Sequence, residues 1–227
     1  MEIENLYSVH VTTDHRPLTT GYRTMDKLRR AVAQLRNADP VLSRIIDHHG
    51  PCRLKLQRRY FYSLVEAILA QQLSIKAAAT IFRRLRALLG GKIEPSRVLS
   101  LTDAQCRQVG ISRQKTGYLR DLAQKWNDGQ LNHRRFSQMS DEDVAAALTQ
   151  VKGIGRWTAE MFLIFCLGRL DVLPVDDLGF RNALRRAYGW RSEPNPKKIQ
   201  KLAEAWRPYR SIATWYFWES WDKKPVG

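Results

Sequence analysis

Cysteine is scarce in this chain of 227 residues: it occurs three times, as Cys52, Cys106 and Cys166. The number is odd, the three positions stand far apart, and no CxxC spacing occurs. This pattern gives no support to a zinc site or an iron–sulfur cluster, both of which need clustered thiolates. It predicts reduced thiols in a cytosol-like compartment.

Long apolar runs are also missing. The chain has no stretch of 18 apolar residues, and its first residues lack the basic-then-apolar pattern of a signal peptide. Its five histidines form no HExxH or similar ligand pattern. These absences predict a cytoplasmic protein that no membrane-spanning segment anchors, and they offer no protein ligands for a catalytic metal.

Acidic residues are few. Asp and Glu number 22 against 38 Lys and Arg, which gives a net charge of +16 and a pI near 10.2. Such an excess favours a polyanionic partner, either nucleic acid or an anionic membrane surface, over a basic surface that serves solubility alone. The basic residues are spread along the chain, which predicts a folded basic surface and not a disordered tail.

Helical periodicity dominates after the first 20 or so residues. The segment LYSVHV alternates like a strand, but later segments carry apolar residues at helical spacing. Asp39 before Pro40, and Ser140 with Asp143 in a capping box, mark helix starts. Connections are short and no repeat is found, so the pattern predicts an all-α protein.

Two glycines interrupt one of these helical stretches, in the sequence VKGIGRW. Gly153 and Gly155 allow a tight turn between two helices, and the free N–H groups of the second helix then form an anion site flanked by Lys152 and Arg156. A dinucleotide fingerprint is excluded because Thr158 stands where its third glycine belongs. The spacing leaves two interpretations open, a phosphate clamp and an ordinary structural turn.

Two adjacent carboxylates follow in the segment LPVDDLG. Asp176 and Asp177 stand just after Pro174, at the start of another helix, where one of them is expected to act as N-cap. Acidic groups repel DNA, so a carboxylate close to a phosphate clamp indicates chemistry. It could stabilise positive charge on a deoxyribose or activate a water molecule.

Taken in order, these motifs resemble the helix–hairpin–helix (HhH-GPD) superfamily of DNA base-excision glycosylases, and within it the 3-methyladenine DNA glycosylase II (AlkA-type) branch. The resemblance covers roughly residues 25 to 222. It rests on five segments, which are ILAQQLSIKAA, GISRQKTGYLRDLA, VKGIGRWTAEMFLIF, LPVDD and WRPYRSIATWYFW. It implies two helical subdomains within residues 25–227, with the active-site cleft between them, the hairpin at 148–160, and a short extension at 1–24.

The resemblance also implies the roles of individual residues. Asp176 would be catalytic, with Asp177 as a helper or cap. Trp157 and Trp218 would line the base pocket, although core packing is the ordinary role of tryptophan. The remaining implied residues are the wedge Gln71, Gln72 and Leu73, with Gln72 as the main one; the phosphate-binding group Lys152, Gly153, Gly155 and Arg156; and the backbone of Thr149 and Val151, which would hold a monovalent Na⁺ or K⁺.

Departures from the family refine the implied activity. Trp157 stands where relatives with lyase activity carry a nucleophilic lysine, so a monofunctional enzyme without Schiff-base chemistry is expected. No C-terminal cysteine set exists for an iron–sulfur cluster, and about 24 residues before the helices predict a compact form without the β domain. Lys152 replaces the usual hairpin proline.

The implied reaction is the excision of alkylated purines from double-stranded DNA by a monomer, without cofactor, leaving an abasic site. The alternative is a non-catalytic DNA-binding module that uses the hairpin alone.

Overall fold

A computed structural model describes residues 22–222 of the protein. The predicted strand LYSVHV lies outside these residues. The described part contains twelve α-helices and no β-strand, which confirms the all-α prediction. The helices are α1 Tyr22–Ala38, α2 Pro40–His49, α3 Tyr60–Ala70, α4 Ile75–Leu88, α5 Pro95–Leu99, α6 Asp103–Gln108, α7 Arg113–Asn127, α8 Asp141–Thr149, α9 Arg156–Phe162, α10 Leu178–Ala187, α11 Pro196–Ala203 and α12 Arg210–Asp222. Helix α1 begins before residue 25, where the helical domain was expected to start.

The chain divides into two compact units. The terminal unit contains the residues up to Leu56 and those from Gly168 onward, with α1, α2 and α10 to α12. The central unit runs from Gln57 to Leu167 and contains α3 to α9. This division agrees with the two helical subdomains that the sequence predicts.

A buried polar network anchors the terminal unit. Asp39 caps α2, as predicted, because its Oδ1 accepts the N–H groups of Val41 and Leu42 at 2.9 and 3.1 Å. Its Oδ2 accepts the indole N–H of Trp206 at 2.9 Å and the hydroxyl of Tyr188. A buried carboxylate is costly unless its lone pairs are filled, and here they are.

Helix α3 forms the core of the central unit. It is apolar on nearly every face, and most of its residues from Phe61 to Ala70 are buried. A helix that is apolar all round is stable only when other helices enclose it. Helix α3 packs against α4, α7 and α9. The C-terminal end of α3 is therefore held in place by the helices packed around it.

The helix caps agree with the sequence predictions except at one capping box, and the cysteines are unpaired as expected. Ser140 caps α8 by accepting the Asp143 N–H at 3.1 Å, but the Asp143 carboxylate accepts the Ser140 hydroxyl at 2.6 Å, so the predicted capping box is only half formed. All three cysteines are free and buried. Within residues 22–222, no helix combines the length and apolarity needed to cross a membrane.

Candidate functional site

The turn that precedes α10, here called the acidic turn, carries Asp176 and Asp177, and the two aspartates have different environments. Asp177 is 1% exposed, and its Oδ1 accepts the Phe180 N–H at 2.6 Å, which caps α10. The same oxygen accepts the indole N–H of Trp218 at 2.9 Å. The prediction that one aspartate of the pair caps the helix is confirmed, and the capping residue is Asp177.

Asp176 lies on the outside of this turn. It is exposed, and its carboxylate makes no hydrogen bond or ion pair with any residue in the described part of the chain. The turn is closed beneath it by the Asp177 N–H, which donates to the carbonyl of Pro174 at 3.1 Å. An exposed carboxyl group is thus presented on a fixed backbone without a partner in the described part of the chain. The catalytic role of Asp176 stays a prediction.

The two predicted base-pocket tryptophans differ in burial. Trp218 on α12 is 3% exposed, and its indole N–H holds Asp177. Trp157, in the first turn of α9, is half-buried in the central unit. Trp218 is buried as a core tryptophan would be, and the sequence did not reveal its contact with Asp177. The pocket roles of both residues stay predictions.

The hairpin of the central unit joins α8 to α9, and its two glycines have different environments. Gly153 has φ +83, and a Cβ built on it would lie 2.2 Å from Cδ2 of Tyr118. Only glycine fits there without displacing the ring. Gly155 has φ −93 and is the N-cap of α9, where a Cβ would meet no atom within 4 Å.

The two basic residues of the hairpin also differ. The guanidinium of Arg156 donates to Glu142 at 2.6 Å and to Glu160 at 3.1 Å, and the bond to Glu142 raises the pKa of Arg156. Lys152 is exposed and forms no described ion pair. Of these two cations, Lys152 is therefore the one whose side chain forms no ion pair among the described residues, although its charge still attracts the Asp121 carboxylate.

Asp121 of α7 fixes the hairpin backbone. Its Oδ2 accepts the Lys152 N–H at 2.9 Å, and its Oδ1 accepts the ammonium of Lys125 at 2.6 Å. Burial raises the pKa of the Asp121 carboxyl, but the bonds from Lys125 and from the Lys152 backbone outweigh it, so that the pKa lies below its usual value. The carboxylate stays ionised and the hairpin stays attached to α7.

The predicted wedge lies in the turn between α3 and α4, here called the wedge turn (71–74). Gln72 is exposed and has φ +57, the one positive value at a non-glycine residue in the described chain. Gln71 directs its amide to the carbonyl of Gly153 at 2.7 Å, so it links the wedge turn to the hairpin. Leu73 is half-buried. The structure thus distinguishes the three candidates and leaves Gln72 as the most outward side chain.

Two charged residues of the central unit were missed by the sequence reasoning. Glu66 stands alone among apolar residues of α3, and burial raises its pKa to about 7. Lys115 donates to the carbonyls of Leu69 and Gln71, both at 2.6 Å. An isolated acid inside an apolar helix is a signal for the first. No pattern in the sequence reveals the second.

The backbone at the end of α8 fits the predicted cation site. The last carbonyls of a helix lack helical partners. The Val151 carbonyl accepts the Ile154 N–H at 3.0 Å and retains a second lone pair. With the Thr149 carbonyl it could coordinate a monovalent cation, and this stays a prediction.

A fixed hairpin in one unit and a presented carboxylate in the other are the parts of a DNA glycosylase, and comparison with known proteins agrees. Residues 65–208 match the model of the HhH-GPD superfamily base excision DNA repair protein. This match spans more than half of the chain. The protein belongs to the HhH-GPD superfamily.

An individual relative makes the similarity more specific. The chain is 33% identical over 182 residues to DNA-3-methyladenine glycosylase 1 of Schizosaccharomyces pombe, which covers 79% of this chain and 80% of the relative.

Two solved structures are also similar to this chain in fold and sequence. A 3-methyladenine DNA glycosylase (Mag1) of S. pombe in complex with abasic DNA has a TM-score of 0.75 at 32% identity, covering 84% of this chain and 95% of that chain. A DNA-3-methyladenine glycosidase of Bacillus halodurans has a TM-score of 0.77 at 33% identity, covering 93% and 94%.

Proposed function

We propose that the protein is a monofunctional DNA glycosylase of the AlkA type. It excises alkylated purines of the 3-methyladenine kind from double-stranded DNA, leaves an abasic site, and so begins base excision repair. The observation that carries the proposal is Asp176, an exposed carboxylate without a described partner on a turn fixed by its buried neighbour. The names of the relatives support the choice of substrate.

The hairpin binds the DNA backbone. Gly155 as N-cap provides no side chain of its own at the start of α9, which lets a phosphate approach the backbone there. The exposed side chain of Lys152 adds a positive charge. Arg156 also carries a positive charge, but its guanidinium already donates to two glutamates. A monovalent cation on the Thr149 and Val151 carbonyls would add positive charge beside that phosphate. These contacts read no bases, as a search for rare lesions requires.

The wedge turn opens the duplex. Flipping a nucleotide breaks its stacking and pairing at a cost of about a few kcal/mol, and a side chain that fills the gap offsets part of that cost. Gln72 is the candidate for insertion because it is exposed on a backbone held in a rare conformation. Gln71 is engaged with Gly153, and Leu73 is half-buried, so both serve the turn itself.

Asp176 assists the cleavage of the glycosidic bond. An N-alkylated purine carries positive charge, so it stacks on aromatic faces such as those of Trp157 and Trp218 and leaves as a neutral base with the bonding electron pair. The sugar becomes oxocarbenium-like, and the ionised carboxylate of Asp176 stabilises that charge. Water then adds at the sugar carbon and loses a proton.

Trp157 underlies the monofunctional assignment. It follows Arg156 directly, at the position where relatives with lyase activity carry their nucleophilic lysine, and an indole forms no Schiff base. Borohydride should therefore trap no covalent adduct with DNA, and product strands should break only under alkali or heat. The enzyme would act as a monomer, in the cytoplasm beside the nucleoid if the cell is bacterial or archaeal.

The test is single-turnover excision from duplexes that each carry one defined alkylated or deaminated base, scored as alkali-labile breaks. Wild-type protein should release 3-methyladenine-type purines. Asp176→Asn should lower the rate about 100-fold to 1000-fold, the loss typical of one transition-state charge interaction, and should bind DNA as well or better. Tight DNA binding without excision by the wild type would instead identify the non-catalytic DNA-binding module.

A further inference from the structure

Helix α7 holds both DNA-directed loops of the central unit. Lys115, Tyr118 and Asp121 lie three residues apart along it, a spacing that places them on one face of a helix. Lys115 contacts the wedge turn, Tyr118 packs on Gly153, and Asp121 binds the Lys152 N–H. One rigid helix thus sets the position of the wedge turn relative to the hairpin.

The contact of Lys115 is the closest of these to the wedge. Helix α3 ends at Ala70, where its last carbonyls have no partners within the helix. The Lys115 ammonium donates to the carbonyls of Leu69 and Gln71, both at 2.6 Å. A positive charge at a helix C-terminus also interacts favourably with the helix dipole. Lys115 therefore caps the C-terminal end of α3, because it binds the carbonyls of the residues before and after Ala70.

This contact fixes the backbone on which Gln72 stands. Gln72 has φ +57, in the left-handed region, which residues with a side chain enter at a cost in free energy. Such a conformation persists only when its surroundings impose it. On the N-terminal side, the Gln71 carbonyl accepts a hydrogen bond from the Lys115 ammonium, and the Gln71 side-chain amide donates to the Gly153 carbonyl. On the other side, the Leu73 N–H donates to the Ala70 carbonyl at 3.2 Å.

We propose that Lys115 is a positioning residue for base flipping, which holds the wedge turn so that Gln72 is presented for insertion at a fixed place relative to the hairpin. Lys115 itself touches neither the damaged base nor the sugar. The inference rests on the proposed function and deepens it, because it names the group that prepares the wedge before DNA arrives. Preorganisation of this kind lowers the ordering cost at the moment of insertion.

The test compares Lys115→Met, which keeps an unbranched side chain and removes the charge, with Lys92→Met. Lys92 is exposed, has no described ion pair, and controls for the loss of one positive charge. Single-turnover excision is measured from a duplex in which the lesion is fully paired and from one in which it lies opposite a mismatch. Lys115→Gln, which keeps a neutral donor, is used if the methionine variant does not fold.

Loss of positioning should slow excision from the paired duplex about 10-fold to 100-fold, the range expected when a working geometry shifts by about 1 Å. It should slow excision from the mismatched duplex much less, because less stacking has to be broken. Affinity for undamaged DNA should stay near that of Lys92→Met. Equal loss on both duplexes, or no loss, would overturn the inference.

A second measurement separates this inference from the proposed function. Amide hydrogen exchange at Leu73 reports the wedge turn without any chemistry on DNA, and it should be faster in Lys115→Met than in Lys92→Met. If the wild type excises no lesion at all, the proposed function has failed, and the exchange rate decides alone. Faster exchange would then support the positioning role, and unchanged exchange would refute it.

Discussion

The hairpin turn of the central unit and the acidic turn of the terminal unit each carry a pair of like residues, and in both only one member is used inside the protein. Gly153 is required because a Cβ would lie 2.2 Å from Tyr118, whereas Gly155 has open space around it. Asp177 is buried as a cap and as the acceptor for an indole, whereas Asp176 is exposed.

The difference shows how a turn can present a group to DNA. A group that must act on DNA cannot have its hydrogen bonds filled within the protein. Its position then depends on a neighbour that is fixed there. Gly153 and Asp177 fix the two backbones, and Gly155 and Asp176 occupy the outward positions. Substitutions at the first two should therefore change stability, and substitutions at the other two should change function.

The largest effect is expected at the hairpin. Gly153→Ala places an L side chain at positive φ, which costs about 1–2 kcal/mol. Displacing the Tyr118 ring costs about 1–3 kcal/mol more. The free energy of unfolding should fall by about 2–5 kcal/mol in total, measured by urea denaturation. Gly155→Ala should leave it nearly unchanged and should weaken binding to all DNA sequences about equally.

A double variant sharpens this contrast. In Gly153→Ala with Tyr118→Ala, the steric part of the loss should disappear, although the strain at positive φ remains. If both single glycine variants lose the same stability, the assigned difference between the two glycines is wrong. The sequence alone suggested that both glycines contribute DNA contacts, and it could not separate them because Tyr118 comes from a different helix.

Local signals explain what the sequence did predict. The helix starts at Asp39 and Ser140 depend on residues within a few positions of one another, and both are present in the structure. The glycine turn and the acidic pair were also visible in the sequence. Propensity and periodicity act over such short distances, so they suffice for the fold class and for the location of these turns.

Contacts between distant segments explain what it did not predict. The partner that fixes Asp177 is Trp218 on α12, and the partner that closes the wedge turn is Lys115 on α7. Nor does composition show that two glutamates already neutralise Arg156. Each depends on the packing of helices that are remote in the chain, which no local pattern encodes.

The second effect concerns the acidic turn. Asp177→Ala removes a helix cap, which costs about 0.5–2 kcal/mol, and leaves a buried indole N–H without its acceptor, which costs about 1–3 kcal/mol. The free energy of unfolding should fall by about 1.5–5 kcal/mol in chemical denaturation. Asp176→Ala should leave stability nearly unchanged and remove excision. The reverse pattern would exchange the two assignments.

The third effect contrasts the half-buried carboxyl of Glu66 with the exposed Asp176. The pKa of Glu66 is raised from 4.5 to about 7 by burial, so the folded protein binds a proton more tightly than the unfolded chain. The stabilisation is fully present below pH 4.5 and is lost as the pH rises through 7, by about 3 kcal/mol. Glu66→Gln should abolish this part of the pH dependence in denaturation series between pH 4.5 and pH 8. A slope equal to that of the wild type would show that Glu66 is solvated.

The smallest effect separates the two cations of the hairpin. The Lys152 side chain forms no ion pair among the described residues, whereas the Arg156 guanidinium is bound to Glu142 and Glu160. Replacing Lys152 by Met should cost DNA binding about 1 kcal/mol and lower the slope of log affinity against log salt by about 1, as expected for one lost phosphate contact. Replacing Arg156 by Met removes a charge that two glutamates already compensate, so affinity and slope should change less. Binding of one undamaged duplex, measured for both variants at several salt concentrations, decides between them. If Arg156→Met causes the larger loss, the guanidinium leaves its glutamates when DNA binds, and the outward role in this turn belongs to Arg156.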